Sequence, residues 1–169
     1  MFLFENICMK YEKNILELGR LLFREEDDIP LLQKALKTYV KELSYVILYN
    51  NKIAGFIIVC KEITKEYDKF ITKIPNCYEL SFFGIHPDYQ GKGLGSQCFS
   101  ITLSSIYKLC NKFNCWLIVD IDNFNAIKLY KKFGFRHWKI IKHDKYPSYI
   151  MGLNYKTWIS IKNKNDFIF

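Results

Sequence analysis

Apolar residues recur along this chain with helical spacing in some stretches and in short continuous runs in others. Residues 1–11 mix apolar and polar positions loosely, which favours a first edge strand. From Asn14 the spacing becomes helical, because residues three and four apart share one face of a helix. The predicted buried positions of this first helix are Ile15, Leu18, Leu21 and Leu22.

A second helix is predicted after the acidic run Glu25–Asp28. Asp28 is the expected N-cap, and Pro30 fits the first turn, where its missing N–H costs nothing. The apolar face of this helix would consist of Leu31, Leu32, Ala35, Leu36, Tyr39 and Val40.

The middle of the chain reads as strands. Tyr45–Leu48 and Ile53–Cys60 are short apolar runs joined by Asn50-Asn51-Lys52, and asparagine tolerates the left-handed backbone of a tight hairpin. Lys61–Asn76 is polar and is expected to be a loop or a short helix. Cys77–Ile85 is rich in aromatic and β-branched residues, which predicts another strand.

The last third alternates helices and strands. A helix is predicted from Leu94 to about Phe113, and Trp116–Asp120 is an apolar run typical of a strand buried on both faces. The remaining predictions are a short helix from Asn123 or Asn125 to Lys132 with Gly134 as its C-cap glycine, the strands Phe135–Lys142 and Ser148–Tyr155, and a polar tail after Trp158 whose end is frayed.

The resulting order β-α-α-β-β-β-α-β-α-β-β predicts one mixed α/β domain spanning residues 1–169. Within it, the strand–helix–strand unit from Cys77 to Asp120 should be a right-handed parallel crossover. No internal repeat or linker interrupts the pattern. At 169 residues the chain is long enough to bury a core of its own.

Composition excludes several classes of protein. Half of the residues are hydrophobic, which argues against disorder, and no apolar run reaches the roughly 18 residues of a membrane span. The first residues lack the pattern of a secretory signal, so a cytoplasmic protein without membrane contact is expected.

The six cysteines form no Cys-x-x-Cys pair, and there are only three histidines. Few residues that could bind a metal ion are therefore available, and the cysteines are expected to act as small buried hydrophobic residues. The net charge of +8 suits an anionic partner, but the lysines look spread over the whole chain. Nucleic acid is on this basis an unlikely partner.

Glycines at every other position, Gly91, Gly93 and Gly95, stand between the strand ending at Ile85 and the helix beginning at Leu94. Such a strand–turn–helix junction lets backbone N–H groups approach an anion, most often a phosphate. The spacing fits neither a dinucleotide fingerprint nor a Walker loop. It fits Gln90-x-x-Gly93-x-Gly95 after an apolar strand and His86-Pro87. A turn that merely connects two elements remains the alternative.

A second block downstream reads Asn123-x-x-Ala126-x-x-Leu129-Tyr130-Lys131-Lys132-Phe133-Gly134-Phe135. With the glycine turn before it, the chain resembles the GNAT superfamily of acetyl-CoA-dependent N-acetyltransferases. The resemblance is firm over about residues 45–153 and only an outline over residues 1–44. It implies an acyl-CoA N-acyltransferase fold, with a mixed, mostly antiparallel sheet of six to seven strands flanked by helices. Residues 45–155 would form its core and 159–169 its C-terminal tail.

The resemblance also implies acetyl-CoA as co-substrate and no metal. Backbone groups at the end of the strand, those of Phe83, Gly84 and Ile85, would pair with the pantetheine arm. Amides of the turn and of the first helical residues would hold the pyrophosphate, with Lys92 adding a positive charge. The residues implied are Gln90, Gly91, Lys92, Gly93, Leu94, Gly95 and Ser96.

Two residues of the second block are candidates for the site. Tyr130 is the expected acid that protonates the departing CoA thiolate, a role that a phenol with a pKa near 10 can serve. A tyrosine that only packs at the surface of the helix is the alternative. Asn123 is expected to contact the cofactor, or else to cap its helix.

Glu79 is the first candidate for the general base that takes a proton from the substrate ammonium. Catalytic glutamates in one branch of the family lie at the matching position, and a carboxylate in a mostly apolar strand is costly to bury unpaired. A salt-bridged glutamate or a water chain would replace this role. Tyr78, Ser81, His86 and Tyr149 are weaker candidates.

The function expected is acetyl transfer from acetyl-CoA directly to a primary amine of a small molecule, peptide or protein. A non-catalytic acyl-CoA-binding or interaction module on the same fold is the alternative, since a fold does not fix a function. The protein would act as a monomer or homodimer. The acceptor would lie near the first two helices, the loop Lys61–Asn76 and Tyr146–Tyr149, and the acidic run Glu25–Asp28 could attract a basic one.

Overall fold

The computed structural model of the protein describes residues 1–24, 26–61, 71, 73–142 and 146–164. Most of the predicted loop Lys61–Asn76 lies outside these residues, as do Glu25 of the acidic run and the last five residues of the tail.

The described residues form seven strands and four α-helices in the predicted order, followed by a fifth α-helix at the C-terminal end. The strands are β1 (Phe2–Asn6), β2 (Tyr45–Tyr49), β3 (Lys52–Cys60), β4 (Cys77–Ile85), β5 (Asn114–Asp120), β6 (Arg136–Ile141) and β7 (Ser148–Asn154). The helices are α1 (Glu12–Leu22), α2 (Asp28–Thr38), α3 (Leu94–Leu109), α4 (Phe124–Lys132) and α5 (Tyr155–Lys164).

The strands form one mixed, mostly antiparallel sheet in the order β1-β2-β3-β4-β5-β7-β6. The chain folds into two compact units, which share β4 and α3. Unit 1 comprises Met1–Glu62 and Leu80–Ser105, and unit 2 comprises Ile63–Glu79 and Ile106–Phe169.

In unit 1, β1, β2 and β3 pair antiparallel in sequence order. The predicted hairpin turn is confirmed, because Asn50 and Asn51 adopt φ angles of 48° and 61°. Helices α1 and α2 pack on β3 through Ile15, Leu32 and Phe56, each of which is 0% exposed. These aliphatic and aromatic side chains supply the core of this unit.

Three details of unit 1 differ from the expectation. Asp27, not Asp28, is the N-cap residue of α2, and its side chain makes no capping hydrogen bond. Leu21 and Leu31 are exposed at the edges of the helix faces that were predicted to be buried, at 59% and 45%. A hydrophobic residue at the border of a helix stripe satisfies the spacing rule without reaching the core.

In unit 2, β4 pairs in parallel with β5 from Cys77 to Glu79, as the crossover pattern predicted. Strand β5 is antiparallel to β7, and β7 is antiparallel to β6 with a register shift between His137 and Lys139. Trp116 of β5 and Ile150 of β7 form a buried cluster with Ile71.

Three predictions for unit 2 were wrong at their limits. Helix α3 ends at Leu109 and not near Phe113. Strand β5 is not buried on both faces throughout, since Ile118 is 37% exposed. The polar stretch after Trp158 is helical, because α5 continues to Lys164 with Trp158 only 1% exposed, and the end that was expected to fray lies outside the described residues.

Candidate active site

The turn between β4 and α3 is held in shape by side chains that bond its own backbone. After Ile85 the chain makes a short 3₁₀ turn at Pro87–Tyr89. The Gln90 amide Nε2 donates to the Ile85 carbonyl oxygen at 2.9 Å, which ties the end of the loop back to the end of the strand. Gln90 therefore has a structural role in addition to its predicted place in the phosphate turn.

Gly91 and Gly93 have φ angles of 74° and 77°, in the region that glycine adopts without a steric penalty. A Cβ atom added at either position would meet no heavy atom within 4 Å. Packing therefore does not require glycine here. The backbone conformation does, and it leaves open space directly beside the turn.

Helix α3 begins at this open space. The Gly93 carbonyl accepts the first bond of the helix, from the Gln97 amide at 3.1 Å. The amides of Leu94 and Gly95 lie in the first turn of α3. The N–H groups in the first turn of a helix have no acceptor within the helix. Unpaired donors and the positive end of the helix dipole together favour an anion at this point. The turn thus has the donor set that a pyrophosphate needs.

Lys92 does not point its charge freely into solvent. Its Nζ donates to the Asp88 carbonyl oxygen at 2.9 Å and lies 5.1 Å from the ring centroid of Tyr89. Lys92 stays within the turn and exposed, so its charge remains beside the helix start.

The end of β4 is covered closely by the C-terminal end of α1. Leu22 lies so near Gly84 that a Cβ atom added there would be 2.4 Å from the Leu22 Cδ1 atom. Phe23, the next residue, packs on Phe82 with ring centroids 5.3 Å apart. Leu22 was predicted only as a buried helix position and Phe23 not at all, so neither was expected beside the end of β4. The only signal was a glycine inside an aromatic strand, which often marks a close approach.

The other two predicted pantetheine-binding residues pack within unit 1. The Phe83 ring meets Phe99 of α3 edge-on at 5.0 Å, and Ile85 is 8% exposed. Their side chains are therefore structural, in agreement with the expectation that only their backbone groups would contact a ligand.

Glu79 lies in the part of β4 that belongs to unit 2, directly opposite Trp116 of β5 in the parallel ladder. Its side chain is half-buried. Burial, and secondly the Glu79 charge, raise the pKa of the neighbouring Cys77 thiol to about 12. Cys77 is thus a neutral thiol at physiological pH.

Tyr130 lies in the last turn of α4, 7% exposed, with its ring 6.1 Å from that of Phe135. Burial raises the pKa of Tyr130 above its usual value near 10, because a phenolate is poorly solvated away from water. Gly134, with a φ of 92°, ends the helix as predicted. The hydroxyl therefore keeps its proton throughout the physiological pH range.

Asn123 caps α4. Its side-chain Oδ1 accepts the Ala126 amide at 3.2 Å, which is the geometry of an N-cap. Capping alone is enough to explain an asparagine at this position. The side chain is also exposed, so it is accessible to a ligand.

The weaker candidates lie in varied surroundings. Tyr78 is 3% exposed, and burial raises its pKa. His86 accepts the Asp88 amide through Nδ1 at 3.2 Å, and Tyr149 stacks on His137 with centroids 4.0 Å apart. Ser81 is half-buried on β4.

Unit 1 also contains a cavity of about 740 Å³ against α1 and the β2–β3 turn. Its lining includes His86 but neither Gly91 nor Gly93, so it is not the space beside the glycine turn. Among the described residues, no cluster of three or more His, Cys, Asp and Glu side chains could hold a metal ion. Within the same residues, every helix is too short or too polar to cross a membrane.

A comparison of the sequence with models of protein families identifies the same turn and second block as parts of one family. Residues 13–135 match the profile of the Acetyltransferase (GNAT) family. The chain belongs to this family. The matched range includes β4, the glycine turn, α3 and α4, which are the elements that carry the predicted site residues.

Individual GNAT relatives are distant. The chain is 39% identical over 51 residues to the spermidine N(1)-acetyltransferase of Escherichia coli K12, covering 30% of this chain and 27% of that protein. It is 23% identical over 141 residues to an N-alpha-acetyltransferase of Sulfurisphaera tokodaii, covering 82% and 84%. The chain thus spans about a quarter of the first relative and most of the second.

The fold is also that of solved GNAT enzymes. Arabidopsis thaliana Naa50, in complex with the bisubstrate analogue CoA-Ac-MVNAL, matches with a TM-score of 0.71 and 22% identity, over 90% of this chain and 97% of that one. Ard1 from Thermoplasma volcanium matches with a TM-score of 0.75 and 18% identity, over 90% and 97%. At these identities the likeness establishes the fold alone.

Proposed function

We propose that this GNAT protein is an N-acetyltransferase that moves the acetyl group of acetyl-CoA directly to a primary amine. The observation that carries the proposal is the turn from Gln90 to Gly95. Two left-handed glycines leave open space in front of the start of α3, and the side chain of Gln90 fixes the turn before any ligand binds. Because the turn is already ordered, little of the binding free energy is lost in ordering it when the anion binds.

In this proposal the amides from Gln90 to Ser96 bind the CoA pyrophosphate, with Lys92 adding charge and Asn123 a further contact. The backbone of Phe83, Gly84 and Ile85 pairs with the pantetheine arm. Glu79 accepts a proton from the substrate ammonium, and the neutral amine then attacks the acetyl carbonyl. As the bond between the carbonyl carbon and sulfur breaks, Tyr130 donates its hydroxyl proton to the departing thiolate, and the nitrogen releases its second proton, which returns Tyr130 to the neutral form through solvent. Neither an acyl-enzyme nor a metal is required.

The α-amine of a peptide or protein is the acceptor that we propose. Support comes from the N-alpha-acetyltransferase of Sulfurisphaera tokodaii, which matches over most of both chains, and from the likeness of the fold to Naa50. Phe23 and Phe82, both half-buried beside β4, offer an apolar surface next to the strand. Such a surface suits the first side chain of a peptide better than it suits a polyamine.

A small polyamine is the second candidate. The 39% identity to the spermidine N(1)-acetyltransferase over 51 residues favours it, as do the exposed carboxylates Glu26 and Asp27 before α2. Opposite charge at the entrance of a site raises the local concentration of a cationic substrate.

The test is thiol release from acetyl-CoA in the presence of one acceptor class at a time. Short peptides that differ in their first residue, acetyl-capped lysine peptides and spermidine form the panel. Release with peptides that have a free and apolar N-terminal residue, and not with the capped lysine peptides, is the expected result. Tight CoA binding with no release for any amine would leave only the non-catalytic module.

A further inference from the structure

The positive charge of the chain is not evenly distributed. Residues 106–169 contain 12 of the 25 Lys and Arg residues but only 4 of the 17 Asp and Glu residues, so this stretch carries the whole net charge of +8. Residues 1–105 are neutral, with 13 of each sign. An asymmetry of this size between two parts of a chain is typical of a surface that meets an anionic partner.

The charge is densest in residues 128–142, which we call the basic segment. These 15 residues contain no Asp or Glu and six cations: Lys128, Lys131, Lys132, Arg136, Lys139 and Lys142. All six side chains are exposed, on the second half of α4, on the edge strand β6 and, for Lys142, directly after β6. The segment is therefore a basic surface and not only a basic stretch of sequence.

Within unit 2, the structure brings two of these cations together around a cavity of about 530 Å³. The cavity is lined by Lys131, Gly134, Phe135, Arg136, His137 and Ile161. Across the part of the chain that the structure describes, no carboxylate lies within ion-pair distance of Lys131, Arg136 or Lys139. Among the described residues, these three cations therefore have no carboxylate that neutralises them.

Stabilisation of α4 explains only some of the basic residues in the basic segment. Lys131 and Lys132 lie in the last turn of α4, where a cation is favoured by the helix dipole. Arg136, Lys139 and Lys142 follow the helix and have no such reason to be basic. An edge strand can use lysines to prevent aggregation, but this need does not account for a cavity between Lys131 and Arg136.

Aromatic rings accompany the cations. His137 is exposed and stacks on Tyr149 with centroids 4.0 Å apart and an interplanar angle of 13°. Phe135 also lines the cavity but is only 1% exposed, so the accessible rings are those of the His137–Tyr149 pair. A basic surface with flat rings suits a single-stranded nucleic acid, since phosphates meet the cations and unpaired bases stack on the rings.

We propose that the basic segment, with the His137–Tyr149 ring pair, binds a single-stranded nucleic acid. This binding is separate from acetyl transfer and does not depend on it. It differs from the expectation that nucleic acid is an unlikely partner, because the lysines are spread over the whole chain but the carboxylates are concentrated in residues 1–105.

The experiment measures fluorescence anisotropy of labelled oligo(U) and oligo(dT) with the full-length protein between 50 and 300 mM NaCl, first without CoA and then with saturating CoA. The dissociation constant is expected to rise with salt, with a log–log slope of about 0.7 for each phosphate contact. The oligo(U) and oligo(dT) arms distinguish RNA from DNA as the source of the strand. Loss of all binding when CoA is added would assign these cations to the cofactor and overturn the proposal.

The test variant is Lys131→Gln/Arg136→Gln/Lys139→Gln, and the matched control is Lys34→Gln/Lys37→Gln/Lys41→Gln. The control removes the same charge from exposed positions of unit 1. The test variant is expected to weaken binding about tenfold or more at 100 mM NaCl and to lower the slope by about 2, and the control to change neither. Equal losses in both variants would show a response to net charge alone and contradict the proposal.

A second variant, His137→Ala, keeps every Lys and Arg and removes one ring. The expected result is severalfold weaker binding with an unchanged salt slope, because stacking does not release counterions. Two further probes have outcomes that would overturn the proposal. These are tighter binding to a duplex of the same sequence, or charge-dependent binding to phosphatidylserine vesicles with none to either oligonucleotide.

Discussion

Gly93 is the residue on which the proposed cofactor site depends most. Its φ of 77° and the free space around it mean that a side chain would strain the backbone without meeting a neighbour. The same backbone orients the first amides of α3. The effect of a substitution on stability can therefore be separated from its effect on CoA binding by comparison with a second residue of positive φ that lies outside the turn.

Gly93→Ala is expected to lower the free energy of unfolding by about 1 kcal/mol, the cost of a left-handed alanine, and to weaken CoA binding at least about tenfold. Asn76→Ala is the control, because Asn76 also has a positive φ, 50°, and precedes β4. It should lose similar stability with unchanged CoA affinity. Urea unfolding and CoA titration measure the two quantities.

Tyr130→Phe is expected to lower kcat by about 10² or more, with little change in the KM for acetyl-CoA, because only the proton donor is removed. Since burial raises the pKa of Tyr130, the wild-type hydroxyl keeps its proton to at least pH 10, and kcat should show no loss from this group between pH 8 and 10. Tyr155→Phe, on α5, is the matched control. An unchanged kcat in the Tyr130 variant would leave the tyrosine a packing role only.

Gly152 shows how a single residue holds the edge of the sheet in unit 2. A Cβ atom there would lie within 1.8 Å of the Trp138 ring, because the ring lies flat on this glycine of β7. Gly152→Ala should lower the free energy of unfolding by about 1–3 kcal/mol through overpacking. The loss should shrink in a Trp138→Ala background, and additive losses in urea unfolding would contradict the contact.

At the scale of elements, β4 and α4 followed from the sequence and α5 did not. The aromatic run of β4 and the Asn123 to Gly134 pattern of α4 are local signals, and each produced the expected strand or helix. In α5 the lysines and asparagines after Trp158 looked like a polar tail. The helix instead depends on distant partners of Trp158, namely Tyr107 and Phe113, which no local pattern reveals.

Trp158→Ala is therefore expected to destabilise unit 2 by about 3–5 kcal/mol, the usual cost of truncating a buried tryptophan. Lys156→Ala, exposed on the same helix, is the control and should change stability by less than about 0.5 kcal/mol. A loss below 1 kcal/mol for Trp158→Ala in urea unfolding would mean that α5 is only loosely attached.

At the scale of the whole molecule, family and fold were predictable because two motifs and the element order agree. The contact of Leu22 with Gly84 was not, since side chains from α1 and β4 meet only through the folded unit. The acceptor is equally hidden from sequence. The choice of acceptor depends on surfaces such as that formed by Phe23 and Phe82. In the sequence, these residues cannot be distinguished from ordinary apolar core residues.

The central claim is that the amides of the glycine turn bind the pyrophosphate of acetyl-CoA. A two-dimensional ¹H–¹⁵N NMR titration of the protein with CoA, and separately with pantetheine, tests it most directly. The account predicts that the amide signals of Gly91, Gly93, Leu94 and Gly95 shift with CoA and stay in place with pantetheine, which lacks the pyrophosphate. CoA that binds without moving these signals, or equal shifts with both ligands, would contradict it.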